Sequence, residues 1–288
     1  MKASQDQTTT TWKDRLGLPA LPLRTVPAPE KTRWPVEKPR LYIQGPSWIP
    51  STPTSSDPSC LSWQVWFRTR GIGFTEKWTT EPEASSTGHL PFLATPDHRC
   101  FSGERLNGYL DEALGKEPIR EGRSEEAKAF ATLLATQLKP ALLYHLWCEP
   151  RNFAVVVQRL GAHYPSVVRR SIMEGRRLDH QKELACIWPG GAVYTRTQVY
   201  EEADRALRAL EDRLVIGKDG APGWLLSTAE EKGSNSDPTF ADCLAFAYLH
   251  TILTAPLADL ELQSMVLKRP ILVTYTQQAY KHWFPDGQ

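Results

Sequence analysis

The sequence lacks several features that would assign it at once to a broad class. Its 288 residues contain no apolar run near the roughly 20 residues of a membrane-spanning helix, so we expect no helical span. Its 34 Lys and Arg are offset by 33 Asp and Glu, so the basic excess typical of nucleic-acid binding is missing. Residues 1–11 are polar and lack the apolar core of a secretory signal. The length and the 41% hydrophobic content suit one large or two ordinary domains.

Cysteine pairs and cofactor motifs are also missing. The five cysteines are odd in number and far apart, which argues against a disulfide framework or a zinc site and indicates a reducing compartment. Gly71-Ile72-Gly73 lacks the third glycine of a dinucleotide motif, and there is no phosphate-loop Gly-Lys-Ser/Thr. His145 and Cys148 have no further ligands near them in sequence, which favours a core histidine. We predict no cofactor and no metal.

Proline is abundant at the start of the chain, where ten of the 23 prolines lie in the first 58 residues. Residues 1–38 show neither a helical nor a strand period, and prolines favour extended chain there. Trp12 and Trp34 stand among these prolines, although a disordered spacer needs few such residues. Three interpretations stay open: a tail folded on its own domain, an arm that docks on a partner through the tryptophans, and plain disorder.

Residues 39–120 predict a small α/β unit. Arg40–Gln44 has the pattern of a strand, and a helix should follow from the N-cap Asp57 with Pro58 in its first position. Further strands are expected over 74–80, 90–95 and 99–101, before a helix that ends at Gly115.

Residues 121–288 have helical periodicity throughout and predict an all-helical domain. Pro140 should bend one helix, and Pro165 is a candidate break in a helix over 153–170. Thr239 and Asp242 have the spacing of a capping box at the start of a helix. The predicted order is therefore a Pro-rich arm (1–38), a sheet domain (39–120) and a helical domain (121–288).

This order resembles the glutathione-transferase fold, a thioredoxin-like domain followed by a helical bundle. That resemblance implies a cis peptide bond at Pro91, at the head of the third strand, and a structural cap formed by Thr239 and Asp242. Within the fold the chain is similar to the metaxin family, and to its smaller, metaxin-2-like fungal subunit in particular. The stretches that carry the similarity are 88–93 (GHLPFL), 142–148 (LLYHLWC) and 238–249 (PTFADCLAFAYL).

The metaxin resemblance implies a non-catalytic subunit of the sorting and assembly machinery, a complex of the mitochondrial outer membrane. Such a subunit would lie peripherally on the cytosolic face, cap the membrane-embedded β-barrel subunit and contact a second metaxin-like subunit. It would help to recognise the β-signal, the last strand of an incoming β-barrel precursor. The membrane-spanning tail that the other metaxin-like subunit carries is not expected here.

An enzyme of this fold would activate a thiol at the N-terminus of the first helix. Ser59 or Cys60 would be the candidate catalytic residue, but Asp57 places a negative charge where the thiolate would lie. The acid followed by Ser that grips glutathione is replaced by Ser102-Gly103-Glu104. We predict no enzyme activity; the alternatives are an active glutathione transferase, or an adaptor of another cytosolic complex.

Charge is uneven along the helical domain. Residues 139–182 contain eight basic and three acidic residues (net +5), whereas residues 183–242 contain six basic and eleven acidic residues (net −5). The basic segment is either a solvated face or a surface for anionic lipid headgroups or an acidic partner loop, with peripheral membrane contact as one outcome. The expected partner-binding residues lie in the arm, in the loop 44–57 and in this segment: Trp12, Trp34, Trp48, Arg169, Arg170, Arg176 and Arg177.

Overall fold

The computed structural model describes residues 38–50, 52–85, 87–114, 121–188, 195–214, 223–226 and 238–285. These residues belong to one compact unit. The predicted arm, including Trp12 and Trp34, lies outside the described residues, so its role stays a prediction. The domain boundaries at 38 and 120 likewise stay predictions.

A four-stranded mixed sheet forms the first part of the unit. Its strands are β1 (Arg40–Gln44), β2 (Thr75–Thr79), β3 (Phe92–Ala94) and β4 (Cys100–Ser102). They lie in the order β2-β1-β3-β4, with β1 and β2 parallel and the other pairs antiparallel. This arrangement confirms the thioredoxin-like sheet predicted from the sequence, with shorter second and third strands.

Two helices, α1 (Pro58–Thr69) and α2 (Arg105–Leu114), cover one face of this sheet. Leu41 and Ile43 alternate along β1 and so point to the same face. They are fully buried in a cluster that also contains Leu93 of β3 and side chains of both helices. The apolar alternation in β1 therefore positions α1, whose N-terminus is the candidate site.

The second part is helical. It comprises α3 (Glu121–Leu133), α4 (Lys139–Leu143), α5 (Pro150–Arg159), α6 (Ser166–Ile187), α7 (Arg196–Arg213), α8 (Phe240–Thr254), α9 (Glu261–Leu267) and α10 (Pro270–Trp283). The central helix α8 is apolar nearly all round, as expected for a buried helix, and it packs against α1 and α10. None of the helices in the described ranges has the length and apolar content needed to cross a membrane.

Two prolines interrupt the regular helices of the second part. Pro140 has no N–H to donate, and the chain passes it through a π-helical turn at Leu134–Leu138 that joins α3 to α4. The break at Pro165 that the sequence predicted in the helix over 153–170 is confirmed. That helix is split by a turn before Pro165, and the following helix α6 continues to Ile187, because Pro165 precedes the first turn, where its missing N–H costs nothing.

Candidate functional site

The N-terminus of α1 is capped by its own sequence. Asp57 is in an extended conformation, and its Oδ2 accepts the backbone N–H of Cys60 at 2.8 Å. Pro58 occupies the first helical position, where an N–H would lack a partner. These are the N-cap and first-turn roles predicted from the sequence. The carboxylate thus takes a backbone donor that an anionic ligand would otherwise use at this helix end.

Cys60 lies beneath this cap and is fully buried. Its Sγ accepts the N–H of Gln44, from the end of β1, at 3.4 Å. Burial raises the pKa of the Cys60 thiol well above its ordinary value, and the Asp57 carboxyl raises it further. Burial also raises the pKa of Asp57, while the Cys60 N–H opposes that shift. A thiol that is inaccessible and hard to ionise is a poor nucleophile.

The loop before α1 is held closed by its own polar groups. Ser55 Oγ donates to Gln44 O at 2.6 Å, and Ser55 N–H donates to Gln64 Oε1 at 3.2 Å. Gln64 Nε2 in turn donates to Pro53 O at 2.6 Å. The sequence analysis did not single out Gln64, because no local sequence pattern indicates that a polar residue of α1 is buried.

Trp48 is a correction to the expected partner-binding set. Only 3% of its surface is exposed, and it packs in the core of the helical domain. Its Nε1–H donates to Ser56 O at 2.8 Å. The indole therefore anchors the loop to the bundle and does not present a surface to a partner.

Two other features predicted for a transferase site are the cis bond at Pro91 and the residues at the end of β4. The Leu90–Pro91 bond is cis, as predicted. At the end of β4, Ser102 is buried and accepts a hydrogen bond from Thr87 Oγ1 at 2.9 Å, whereas Glu104 is exposed. The Ser102 and Glu104 positions predicted from the sequence are thus occupied by a buried, hydrogen-bonded hydroxyl and an exposed acid.

The capping box at α8 is confirmed. The N–H and Oγ1 of Thr239 both donate to Asp242 Oδ2, at 2.9 and 2.8 Å. Asp242 Oδ1 accepts the N–H of Leu225 at 2.7 Å and the hydroxyl of Tyr275 at 3.0 Å. One buried carboxyl thus joins three chain segments.

A small charged cluster faces the Asp57 end of α1. Lys139 Nζ lies 2.6 Å from Glu183 Oε1, and His180 Nδ1 lies 3.3 Å from Glu183 Oε2. The hydrogen bond from His180, with help from Lys139, lowers the pKa of Glu183 to about 2. The same two basic groups attract Asp57 and oppose the rise in its pKa. Both basic groups of this cluster are thus paired with the Glu183 carboxylate.

The basic segment on α6 is less available than its sequence suggests. Arg169 donates to backbone carbonyls of the preceding turn, and Arg177 lies over the ring of Phe153. Arg176 donates to Thr80 O at 2.6 Å and to Tyr164 Oη at 2.7 Å, which ties α6 to the residue after β2. Arg170 is exposed. Among the four predicted arginines, Arg170 is therefore the best placed to meet a partner.

Comparison with known proteins agrees with this architecture. A family model for the glutathione S-transferase N-terminal domain matches residues 58–152, and one for the C-terminal domain matches residues 233–279. Human metaxin-2 is 27% identical over 169 residues, which cover 58% of this chain and 59% of the relative. Mouse metaxin-1 is 23% identical over 225 residues, which cover 73% and 65%.

The chain is similar to the metaxins and has a glutathione-transferase-like fold. It matches about three fifths of the length of its human and mouse metaxin-2 relatives. Solved transferases share the fold. One from Ceriporiopsis subvermispora in complex with glutathione has a TM-score of 0.55 at 12% identity and covers 85% of this chain and 96% of its own. GSTFuA3 from Phanerochaete chrysosporium has a TM-score of 0.54 at 15% identity and covers 86% and 98%.

Proposed function

We propose that this metaxin-like chain is a non-catalytic subunit of the sorting and assembly machinery of the mitochondrial outer membrane. It caps the β-barrel subunit on the cytosolic side, contacts a second metaxin-like subunit and helps to recognise the β-signal of incoming precursors. Its similarity to metaxin-2, together with the geometry at α1, supports this proposal.

The geometry at α1 is the observation that carries the non-catalytic part. Asp57 occupies the helix end, and Cys60 is buried beneath it. A transferase needs an accessible anion at this place, held by the helix dipole and free N–H groups. In this chain the transferase fold is present, but the Cys60 N–H at the start of α1 already donates to Asp57.

The partners are tested by affinity purification of the full-length tagged chain from mitochondria in mild detergent. We expect recovery of the barrel subunit and of a second metaxin-like protein from the membrane fraction. Recovery only from a membrane-free cytosolic pool would contradict the proposal and favour an adaptor of another complex.

The arm has its own test in the same purification. Deletion of residues 1–38 should lower the yield of the barrel subunit, because the arm carries Trp12 and Trp34 among prolines. The double substitution of both tryptophans by Ala keeps the arm's length and charge and should reproduce most of the loss. Undiminished yield with both changes would remove the arm from the interface.

Arg170 tests the basic segment. Arg170→Glu reverses an exposed charge, and Lys281→Glu makes the same change on α10 as a matched control. We expect weaker and less salt-dependent retention in the membrane fraction for the first variant only. Equal retention of both variants would show that the segment is a solvated face.

Catalysis is tested by assaying the purified chain with glutathione and a chlorinated aromatic electrophile. We expect no turnover above the uncatalysed rate and no retention on immobilised glutathione. Robust turnover that is lost on changing Ser59 or Cys60 would identify an active transferase.

A further inference from the structure

The strand β2 leaves one edge of its backbone open. It lies at the end of the sheet and pairs with β1 in parallel. The N–H of Thr75 donates to Pro39 O at 2.8 Å, and Thr79 O accepts the N–H of Gly45 at 3.2 Å. The N–H and C=O of one residue in a parallel strand point to the same side, and neighbouring residues point to opposite sides. The backbone groups of Glu76 and Trp78 therefore point away from the sheet.

These outward groups have no hydrogen-bond partner in the part of the chain that the structure describes. The next outward carbonyl, that of Thr80, is already taken by Arg176. The open edge is thus bounded at one end by a guanidinium from α6. Unpaired donors and acceptors at this spacing match the backbone of another extended strand.

Two clefts lie beside β2. One of about 440 Å³ is lined by Pro46, Ile49 and Trp78 beside the end of β2. The other, of about 340 Å³, lies beside its start and is lined by Ile72 and Phe74 together with the charged pair Arg68 and Glu76. Ile49 and Trp78 are large apolar residues that are 40% and 39% exposed. Side chains on one face of a strand repeat about every 7 Å, so an added strand would direct alternate residues toward these clefts.

Gly45 sets the position of the Trp78 ring. A Cβ at residue 45 would lie 1.8 Å from Trp78 Cε3, so only glycine lets the indole lie across the end of β1. The Trp78 ring, which forms the apolar wall of the cleft, is therefore packed closely against the backbone of Gly45.

The charges along the edge favour a neutral or acidic ligand strand. The Glu76 carboxylate is neutralised by Arg68, whose Nη2 lies 2.7 Å from Glu76 Oε1. Lys77 is exposed, and no carboxylate of the described ranges lies within ion-pair distance of it. A basic strand would thus meet an uncompensated positive charge.

We propose that the edge of β2 at Glu76 and Trp78 is the site that binds the last strand of an incoming β-barrel precursor. This inference rests on the proposed function and adds to it the location of the contact. The strand extends the sheet through backbone hydrogen bonds, and its alternate apolar or aromatic side chains enter the two clefts. Backbone pairing supplies affinity for any extended strand, and the clefts select the alternating pattern.

The ligand side is tested with a labelled ten-residue peptide that has the sequence of the last strand of a mitochondrial β-barrel protein. Two derivatives carry N-methyl groups at alternate amides, one set in each register. Binding to the full chain is measured by fluorescence anisotropy. We expect one derivative to lose about tenfold in affinity and the other less than about twofold, because only one set faces β2. Equal affinities of the two derivatives would overturn the proposal.

The protein side uses a matched pair of variants. Glu76→Pro removes an outward N–H, and a proline is tolerated where the N–H faces away from the ladder. Glu76→Ala loses the same carboxylate and ion pair but keeps the N–H. We expect about tenfold weaker peptide binding for Glu76→Pro relative to Glu76→Ala. Equal binding by two folded variants, as judged by thermal melting, would contradict edge pairing.

A cleft variant keeps the test valid if Glu76→Pro does not fold. Ile49→Glu places a charge in the larger cleft at an exposed position and should weaken binding at least as much. Unchanged peptide binding by Ile49→Glu would remove the cleft from the site. If the barrel subunit still co-purifies but the peptide affinity is the same for all these variants, the proposed function stands and this location is wrong.

Discussion

The N-termini of α1 and α8 each carry a carboxylate that accepts backbone N–H groups, and the two carboxylates are used differently. At α1, Asp57 accepts a hydrogen bond from Cys60, within its own first turn. At α8, Asp242 is fully buried and accepts from Thr239, Leu225 and Tyr275. The first cap serves one helix, whereas the second joins three segments of the chain.

The difference distinguishes a carboxylate that stabilises the fold from one that occupies the helix end where a transferase would bind its thiolate. Asp242 provides a framework contact between three segments of the chain. Asp57 stabilises α1 locally, but it also fills the place where a transferase would hold an anion. The α8 cap therefore holds three chain segments together, while at α1 the Asp57 carboxylate already accepts a backbone N–H of the helix end.

The largest effect is expected when Asp242 is removed. Asp242→Ala leaves the Leu225 and Thr239 N–H groups and the Tyr275 hydroxyl without an acceptor, and should lower the free energy of unfolding by about 3–5 kcal/mol. Asp242→Asn keeps one acceptor oxygen and should cost less. Urea unfolding of both variants measures this. A loss under about 1 kcal/mol for Asp242→Ala would show that water replaces the carboxylate.

Acid pH should weaken the molecule through two buried histidines. Burial lowers the pKa of His145 and of His250 to about 4. An unfolded histidine titrates near 6.5, so the unfolded state takes up protons first as the pH falls, and stability is lost between about pH 6.5 and 4. We expect a loss of about 2 kcal/mol per histidine at pH 5 relative to neutral pH.

The control for this pH dependence is a substitution at an exposed histidine. His250→Asn should reduce the loss between pH 7 and pH 5 by about half, since one of two buried groups is removed. His89→Asn, at an exposed position, should leave it unchanged. Equal pH profiles for the two variants would mean that His250 does not contribute.

Local sequence patterns predicted the caps at the starts of both helices. The Asp57 cap and the Thr239–Asp242 box follow from short-range rules, the Pro91 cis bond is implied by the fold resemblance, and each is confirmed. What failed depends on tertiary context. Trp48 stands in a polar loop, yet it is buried because the loop folds onto the bundle. Arg176 looks like a solvated charge, yet it reaches Thr80, 96 residues earlier in sequence.

A smaller effect is expected at the α1 cap. Asp57→Ala removes the acceptor for the Cys60 N–H and should lower stability by about 1 kcal/mol. Asp57→Ser keeps a capping oxygen without the charge and should recover most of that loss. Thermal and urea unfolding of the three proteins measure it. If Asp57→Ala were as costly as Asp242→Ala, the two caps would not differ as described.

The smallest effect is expected at Ser59, which would be a catalytic hydroxyl if the site were active. No residue of the described ranges hydrogen-bonds to its side chain, and it lies half-buried in the first turn of α1. Ser59→Ala should therefore change stability by less than about 0.5 kcal/mol and leave recovery of the barrel subunit unchanged. Because Asp57 holds the helix end in both proteins, neither should turn over glutathione. A transferase rate that is present in the parent chain and absent in Ser59→Ala would instead place the chemistry at α1 and make the Asp57 cap compatible with catalysis.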